Sequence, residues 1–179
     1  MIAAAMNPCK CGFFPDLGKC RCTPTQIRRY LNRVSGPFLD RIDIGVEVPR
    51  QDLGMMAAEK SIDEGSFPQT EQRNSSAVMR ARVMEARARQ EKRFADESIS
   101  YNSQMTRRQI EEYCRLSGED AVFLEKVERQ QGISARGHGK ILKVARTLAD
   151  LDGQAEIGRT QLAEAIGFRS FEKKYWGSL

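Results

Sequence analysis

The stretch from Cys9 to Cys22 constrains this chain more than any other: Cys9-Lys10-Cys11 and Cys20-Arg21-Cys22 flank a loop that holds Gly12, Pro15 and Gly18. Four thiolates that close in sequence can converge on one soft tetrahedral cation, and the turn-forming residues between them let the two pairs fold together. Cys-x-Cys is tighter than the usual zinc spacing, so free thiols or a disulfide-stapled loop stay open as alternatives. A bridge inside one Cys-x-Cys pair is strained, and no cationic segment leading into an apolar one marks the chain for an oxidising compartment. A metal is therefore expected on Cys9, Cys11, Cys20 and Cys22, with Zn2+ as the candidate ion. Such binding, on the order of 10 kcal/mol, would order a loop this polar. Cys114 stands apart in a helical pattern and reads as a small core residue.

With 40% hydrophobic and 30% charged residues the chain suits a soluble globular protein of one domain or two small ones. No apolar run approaches a membrane span, and a cytoplasmic protein without membrane contact is expected. The net charge of +5 is unevenly spread. Residues 51–73 carry five acidic and two basic side chains, residues 74–93 six basic and two acidic. Local basic excess fits a polyanionic partner, and it equally fits a solvated helix face.

Taken in order, Met1 to Met6 is a short apolar run closed by Asn7-Pro8, the pattern of a buried parallel strand presenting Asn7 at its C-terminal edge. Thr23-Pro24-Thr25-Gln26 carries a capping box with Pro at the first helical position. The helix it opens buries Ile27, Tyr30, Leu31 and Val34 and ends at Gly36-Pro37. Ile44, Val46 and Val48 alternate like a strand stopped by Pro49. Residues 51–75 read as a linker. Beyond it lie a long helix from Ser75 or Ser76 with Met79, Val83, Ala86 and Phe94 on one face, and a helix over Thr106–Leu116 with Ile110, Tyr113 and Cys114 inward. Further helices are expected from Ser117 to Gly132 (Val122, Phe123, Val127 inward), from Ser134 to Asp152 (Ile141, Val144, Ala145, Leu148, Leu151) and over Thr160–Ile166. The expected fold is mainly α with a small α/β part: residues 1–50 as the end of a parallel-sheet core with the four-cysteine loop at 9–22, residues 76–170 as a helical-bundle lid, and 171–179 as a tail. The lid is expected to fold independently and residues 1–50 to be less ordered.

Three separated stretches then agree on one family. Ala4-Ala5-Met6-Asn7-Pro8-Cys9, the run from Thr23 to Tyr30 leading into Ser35-Gly36-Pro37-Phe38-Leu39-Asp40-Arg41-Ile42-Asp43, and Ile133-Ser134-Ala135-Arg136 followed by Lys140 to Thr147 resemble the magnesium-chelatase-like AAA+ ATPases of the ComM/YifB type. The resemblance covers nearly the whole chain and implies the C-terminal fragment of a longer AAA+ module. By similarity Asn7 is the first sensor, orienting the attacking water; Arg41 is the arginine finger, offered to a nucleotide bound in the neighbouring subunit; Arg136 is the second sensor, tying the lid to the phosphate. Read alone, Arg41 between Asp40 and Asp43 is a surface ion pair and Arg136 an ordinary first-turn residue. Gly137 and Gly139, where the family has better helix formers, are expected to fray the helix start at a cost of roughly 2 kcal/mol. His138, the only histidine, reads as solvent-facing. Lys10 stands where the family often has Pro.

The functional expectation is the sensor, finger and lid part of a ring-forming ATPase, a hexamer by resemblance. It would act on DNA without sequence preference, like the branch-migration helicases of recombination and natural transformation, with ATP and Mg2+ serving the longer parent. No Gly-x4-Gly-Lys-Ser/Thr loop and no strand ending in an acidic pair occur in these residues, so the chain alone is expected not to hydrolyse ATP. Lys10, Lys19 and Arg21 make the cysteine loop basic, as phosphates require. The alternatives are a chelatase-like ATPase that remodels a protein or drives metal insertion, and a non-catalytic zinc-ribbon and helical adaptor.

Overall fold

The computed structural model describes residues 2–48 and 75–177. The linker expected over 51–75 lies almost wholly outside them. Local capping chemistry sets most helix starts. In α1 (Pro24–Leu31) the Thr23 hydroxyl accepts from the Gln26 N–H while the Gln26 side chain accepts from the Thr23 N–H, the reciprocal box the sequence calls for. Gly36-Pro37 does not end a helix as expected but starts one. Ser35 caps α2 (Gly36–Leu39), and Pro37 sits in a first turn where no backbone N–H is needed.

Six helices and a short 3-10 turn make up the described part beyond residue 75: α3 (Ser76–Arg93), the turn Asn102–Gln104, α4 (Arg107–Tyr113), α5 (Gly118–Gln131), α6 (Ala135–Leu151), α7 (Arg159–Gly167) and α8 (Ser170–Trp176). Ser75, Thr106, Ser117 and Ser134 cap α3 to α6 in turn. Gly132 closes α5 at φ +67°, a left-handed residue that glycine adopts without a Cβ clash. Helix α6 is the axis. Ile141, Leu142, Ala145 and Ala149 pack against Leu162, Ala165 and Ile166 of α7, Phe94 beyond α3, Cys114 after α4 and Leu124 of α5. A second, smaller cluster gathers Cys9, Ile27 and Leu31 under Phe14, Tyr30, Tyr175 and Trp176.

Three sequence expectations change. No strand forms among the described residues: Ile2 is 79% exposed and Val48 88%. A strand needs a ladder partner, and none of these residues supplies one to either run. The apolar faces expected on α3 and α5 are only partly used. Met79, Val83 and Val122 lie on the surface, whereas Ala86, Phe94 and Leu124 are buried. The tail expected from residue 171 is helix α8, whose aromatics seal the second cluster.

At the centre of the helical bundle a polar network replaces apolar packing. Asp150 is fully buried and takes both terminal nitrogens of Arg93, the Asn102 side-chain N–H at 2.8 Å and Arg146 at 3.2 Å. Arg146 also donates to the carbonyls of Gln154 and Ala155, each at 2.8 Å. Burial draws the Arg146 guanidinium below its usual pKa, with the Asp150 charge opposing. This network fastens α3 to α6. Cys114 fills the core as expected, its thiol pushed up to about 11 by burial, which keeps it protonated and unreactive.

Candidate metal centre and arginine cluster

The cysteine loop closes through its own turns. The Gly12 N–H donates to the Cys9 carbonyl at 3.1 Å, with Gly12 at φ +77°, and the Cys20 N–H donates to the Asp16 carbonyl at 2.8 Å. These turns bring the four Sγ atoms to within 4.8 Å of one another, and all four are free thiols. Cys9 to Cys11 is 3.4 Å, Cys11 to Cys20 3.6 Å and Cys9 to Cys20 3.8 Å. A tetrahedral Zn2+ with sulfur at about 2.3 Å holds its ligands about 3.8 Å apart, so the donor set fits a structural thiolate site with only small adjustment. Cys9, the innermost, also accepts from the Phe14 N–H at 3.4 Å.

Ionisation within the group is uneven. The Phe13 backbone N–H leads the interactions that lower Cys11 to about 6. Cys20 is raised to about 11: the backbone bond from Cys22 favours its thiolate, but burial and the sulfurs of Cys11 and Cys9 outweigh it. Cys22 is raised in the same way. Binding a dication would expel the remaining protons, so occupancy must weaken as pH falls.

A second constellation joins the segment after α2 to the N-terminus of α6. Asp40 is half-buried and accepts from the Ser134 hydroxyl at 3.1 Å and from Arg136 at 3.5 Å, with Arg169 at 3.8 Å. Arg169 is buried, donates to the Ile42 carbonyl at 2.9 Å and pairs with Glu172 at 2.6 Å. From the other side Lys140 donates to the Arg41 carbonyl and pairs with Asp43 at 2.8 Å. The backbone at Arg41 and Ile42 is thus gripped by two cations while the Arg41 guanidinium stays exposed, donating to the Pro37 carbonyl at 2.6 Å. Arg136 and Arg169 therefore share the Asp40 carboxylate, next in sequence to Arg41. Asn7 lies exposed before the cysteine loop, and no hydrogen bond among the described residues joins it to either arginine.

The helix start does not fray at the glycines. Gly137 is buried, and a Cβ there would lie 2.7 Å from the Ile133 side chain, so its helix-propensity cost accompanies a close approach that no other residue allows. His138 is half-exposed and meets Glu128 at 2.6 Å. Sequence reasoning missed Lys140 and Arg169 as the grip on the Arg41 and Ile42 carbonyls and Asp40 as the acceptor for Ser134 and Arg136, because these partners are backbone carbonyls and charges remote in sequence. It also missed the cover on the cysteine loop. Trp176 donates its indole N–H to the Leu31 carbonyl at 3.1 Å, and Tyr175 meets Phe14 edge-on at 6.0 Å. The available signal was Phe171, Tyr175 and Trp176 at helical spacing.

Comparison with known proteins gives a consistent picture. Residues 73–169 match the family model described as magnesium chelatase, subunit ChlI C-terminal, and residues 1–56 that of magnesium chelatase, subunit ChlI. The chain is 40% identical over 170 residues to competence protein ComM of Haemophilus influenzae, covering 94% of this chain and 30% of that protein. It is 40% identical over 172 residues to the uncharacterized protein YifB of Escherichia coli, covering 96% and 31%. An uncharacterized protein of Mycobacterium bovis is 30% identical over 168 residues, covering 94% and 31%. The chain thus spans about a third of the length of the curated relatives it matches. From the two family models, matched in chain order, the first over the cysteine loop and the second over the bundle, it follows that the chain belongs to the magnesium-chelatase-like AAA+ ATPases, the family of subunit ChlI.

Proposed function

We propose that this chain is the sensor, arginine-finger and lid part of a ring-forming, cytoplasmic AAA+ ATPase that acts on DNA in the manner of a branch-migration helicase. The observation that carries the reading is the grip on Arg41. Lys140, from the helix that bears Arg136, holds the Arg41 carbonyl and buried Arg169 the Ile42 carbonyl, while the Arg41 guanidinium stays exposed with the Pro37 carbonyl as its hydrogen-bond acceptor, a bond that a phosphate on a neighbouring subunit can replace. Arg136, on the first turn of α6, is exposed and among the described residues pairs with Asp40 at 3.5 Å, an exchange a phosphate oxygen can win. Asn7 is the remaining sensor. ATP and Mg2+ supply the phosphoryl chemistry in the longer parent. This chain contributes charge at the phosphate and a lid that moves with it, and alone it hydrolyses nothing.

Cys9, Cys11, Cys20 and Cys22 hold Zn2+ in this reading, as a structural knuckle. A hexameric ring sets Arg41 of one subunit against the nucleotide of the next. The chelatase-like alternative, remodelling a protein or driving metal insertion, draws on the name of the matched family. The knuckle favours the DNA-acting branch.

The test is a chimera in which this chain replaces the matching segment of Haemophilus ComM. It is expected to hydrolyse ATP. Arg41→Ala should abolish turnover while leaving nucleotide binding intact, and mixing those subunits with phosphate-loop-defective ones should restore turnover at the mixed interfaces. Unchanged hydrolysis in Arg41→Ala would remove the finger assignment.

A further inference from the structure

The cations of this molecule are not used alike. In the helical bundle most have a carboxylate: Arg93 and Arg146 meet Asp150, Arg159 meets Asp120, Arg169 meets Glu172, Arg129 meets Glu125 and Lys174 meets Glu47. Residues 9–33 are different. They carry six basic side chains and one acidic one, an excess equal to the whole chain's net charge of +5. All six are exposed, and among the described residues their one ion pair is Lys19 with Asp16 at 4.0 Å, both in solvent. Lys10, Arg21, Arg28, Arg29 and Arg33 have no salt-bridge partner among the described residues.

Packing explains why the α1 charges lie outward. Helix α1 turns Ile27 and Leu31 toward Cys9, so at 3.6 residues per turn Arg29 points away from that cluster, with Arg28 on its flank. Arg33 follows in the turn after α1 and is also exposed. Three arginines within six residues can meet two or three successive phosphates of one strand. The cysteine loop sits on the same cluster and adds Lys10 and Arg21. Guanidinium groups with no carboxylate partner among the described residues give a surface suited to neutralising phosphates, the contacts that position a duplex.

We infer that the outer face of α1, with the cysteine loop beside it, is the nucleic-acid surface of this chain and takes the phosphate backbone of a DNA duplex. The inference rests on the DNA-acting reading and locates its contact. The rival surface is α3, whose Arg80, Arg82 and Arg87 are exposed but whose neighbours already occupy two of them: Arg82 lies 4.0 Å from Asp152, and Arg87 stacks 5.4 Å over the Tyr101 ring.

The experiment uses the full 179-residue chain, loaded with Zn2+, and a labelled 20-base-pair duplex, with binding followed by fluorescence anisotropy across a KCl series. The triple variant Arg28→Gln, Arg29→Gln, Arg33→Gln is expected to flatten the slope of log affinity against log salt by about 2.7, three phosphate contacts at roughly 0.9 each. Arg80→Gln, Arg82→Gln, Arg87→Gln is expected to leave the slope unchanged. Zinc content and helicity equal to wild type confirm that each variant is folded. Duplex binding lost in the α3 variant but kept in the α1 variant would overturn this surface and leave the DNA reading standing. No duplex binding by the wild type at low salt would overturn both. Retention on phosphatidylglycerol vesicles at salt concentrations that release the duplex would assign the face to a membrane and overturn it as well.

Discussion

The two buried clusters of this molecule are held by different physics. The bundle core draws side chains from several helices around α6 and adds a buried carboxylate that binds two arginines and an asparagine. The cysteine cluster has three buried residues, Cys9, Ile27 and Leu31, and borrows Tyr175 and Trp176 from the far end of the chain. An apolar core of that size cannot order a basic loop by burial alone; a remote helix covers it, and the proposed Zn2+ would supply the cross-link. The bundle should therefore tolerate what destroys the knuckle, and the knuckle what weakens the bundle.

Chelation is the severest way to break that contrast. Removing metal is expected to abolish amide-exchange protection over residues 9–33, losing on the order of 10 kcal/mol of local stabilisation, while protection in α6 and α7 persists. Equal loss in both regions would show one cooperative unit. Asp150→Ala attacks from the other side. It leaves Arg93 and Arg146 without their shared counter-charge and is expected to cost about 3–5 kcal/mol in denaturant unfolding, with zinc stoichiometry intact. Gly132→Ala, at positive φ, is expected to lower bundle stability by roughly 1 kcal/mol and nothing else.

The smallest effect is pH-dependent and falls on the join. The hydrogen bond from Lys174, at 2.7 Å, holds the Glu47 carboxyl below its ordinary value. A depressed folded-state pKa stabilises above the unfolded value, near 4.3 for about every free Glu, and that contribution fades as pH falls through the folded value. Exchange in α8 should therefore quicken slightly below about pH 4 in wild type and lose this acid sensitivity in Glu47→Gln. An unaltered acid response in the variant would place the join elsewhere.

Local chemistry was legible in advance; remote partnership was not. The capping box at Thr23, the helix starts at Thr106, Ser117 and Ser134 and the glycine stop at 132 each depend on atoms within a few residues and stand where the sequence puts them. The four cysteines converge because two turns suffice to bring them together. Met79, Val83 and Val122 have helical spacing, but spacing cannot say whether another element arrives to cover them, and here none of the described residues does. Asp150 reads as a last-turn acid until Arg93, 57 residues earlier, reaches it. The strand patterns around Ile2 and Val48 fail for the same reason, since alternation describes a face and a ladder requires a neighbour.

Trp176 is the only tryptophan in the chain, and its indole is bonded to the Leu31 carbonyl beside the cysteine cluster, with Tyr175 and Phe171 edge-on at 6.3 Å. Its emission is therefore a built-in optical gauge of one region only. Opening of the knuckle must red-shift the spectrum as the ring meets water, whereas melting confined to the bundle centre must leave it unmoved. Rapid mixing with a chelator can then time the departure of α8 without any attached dye.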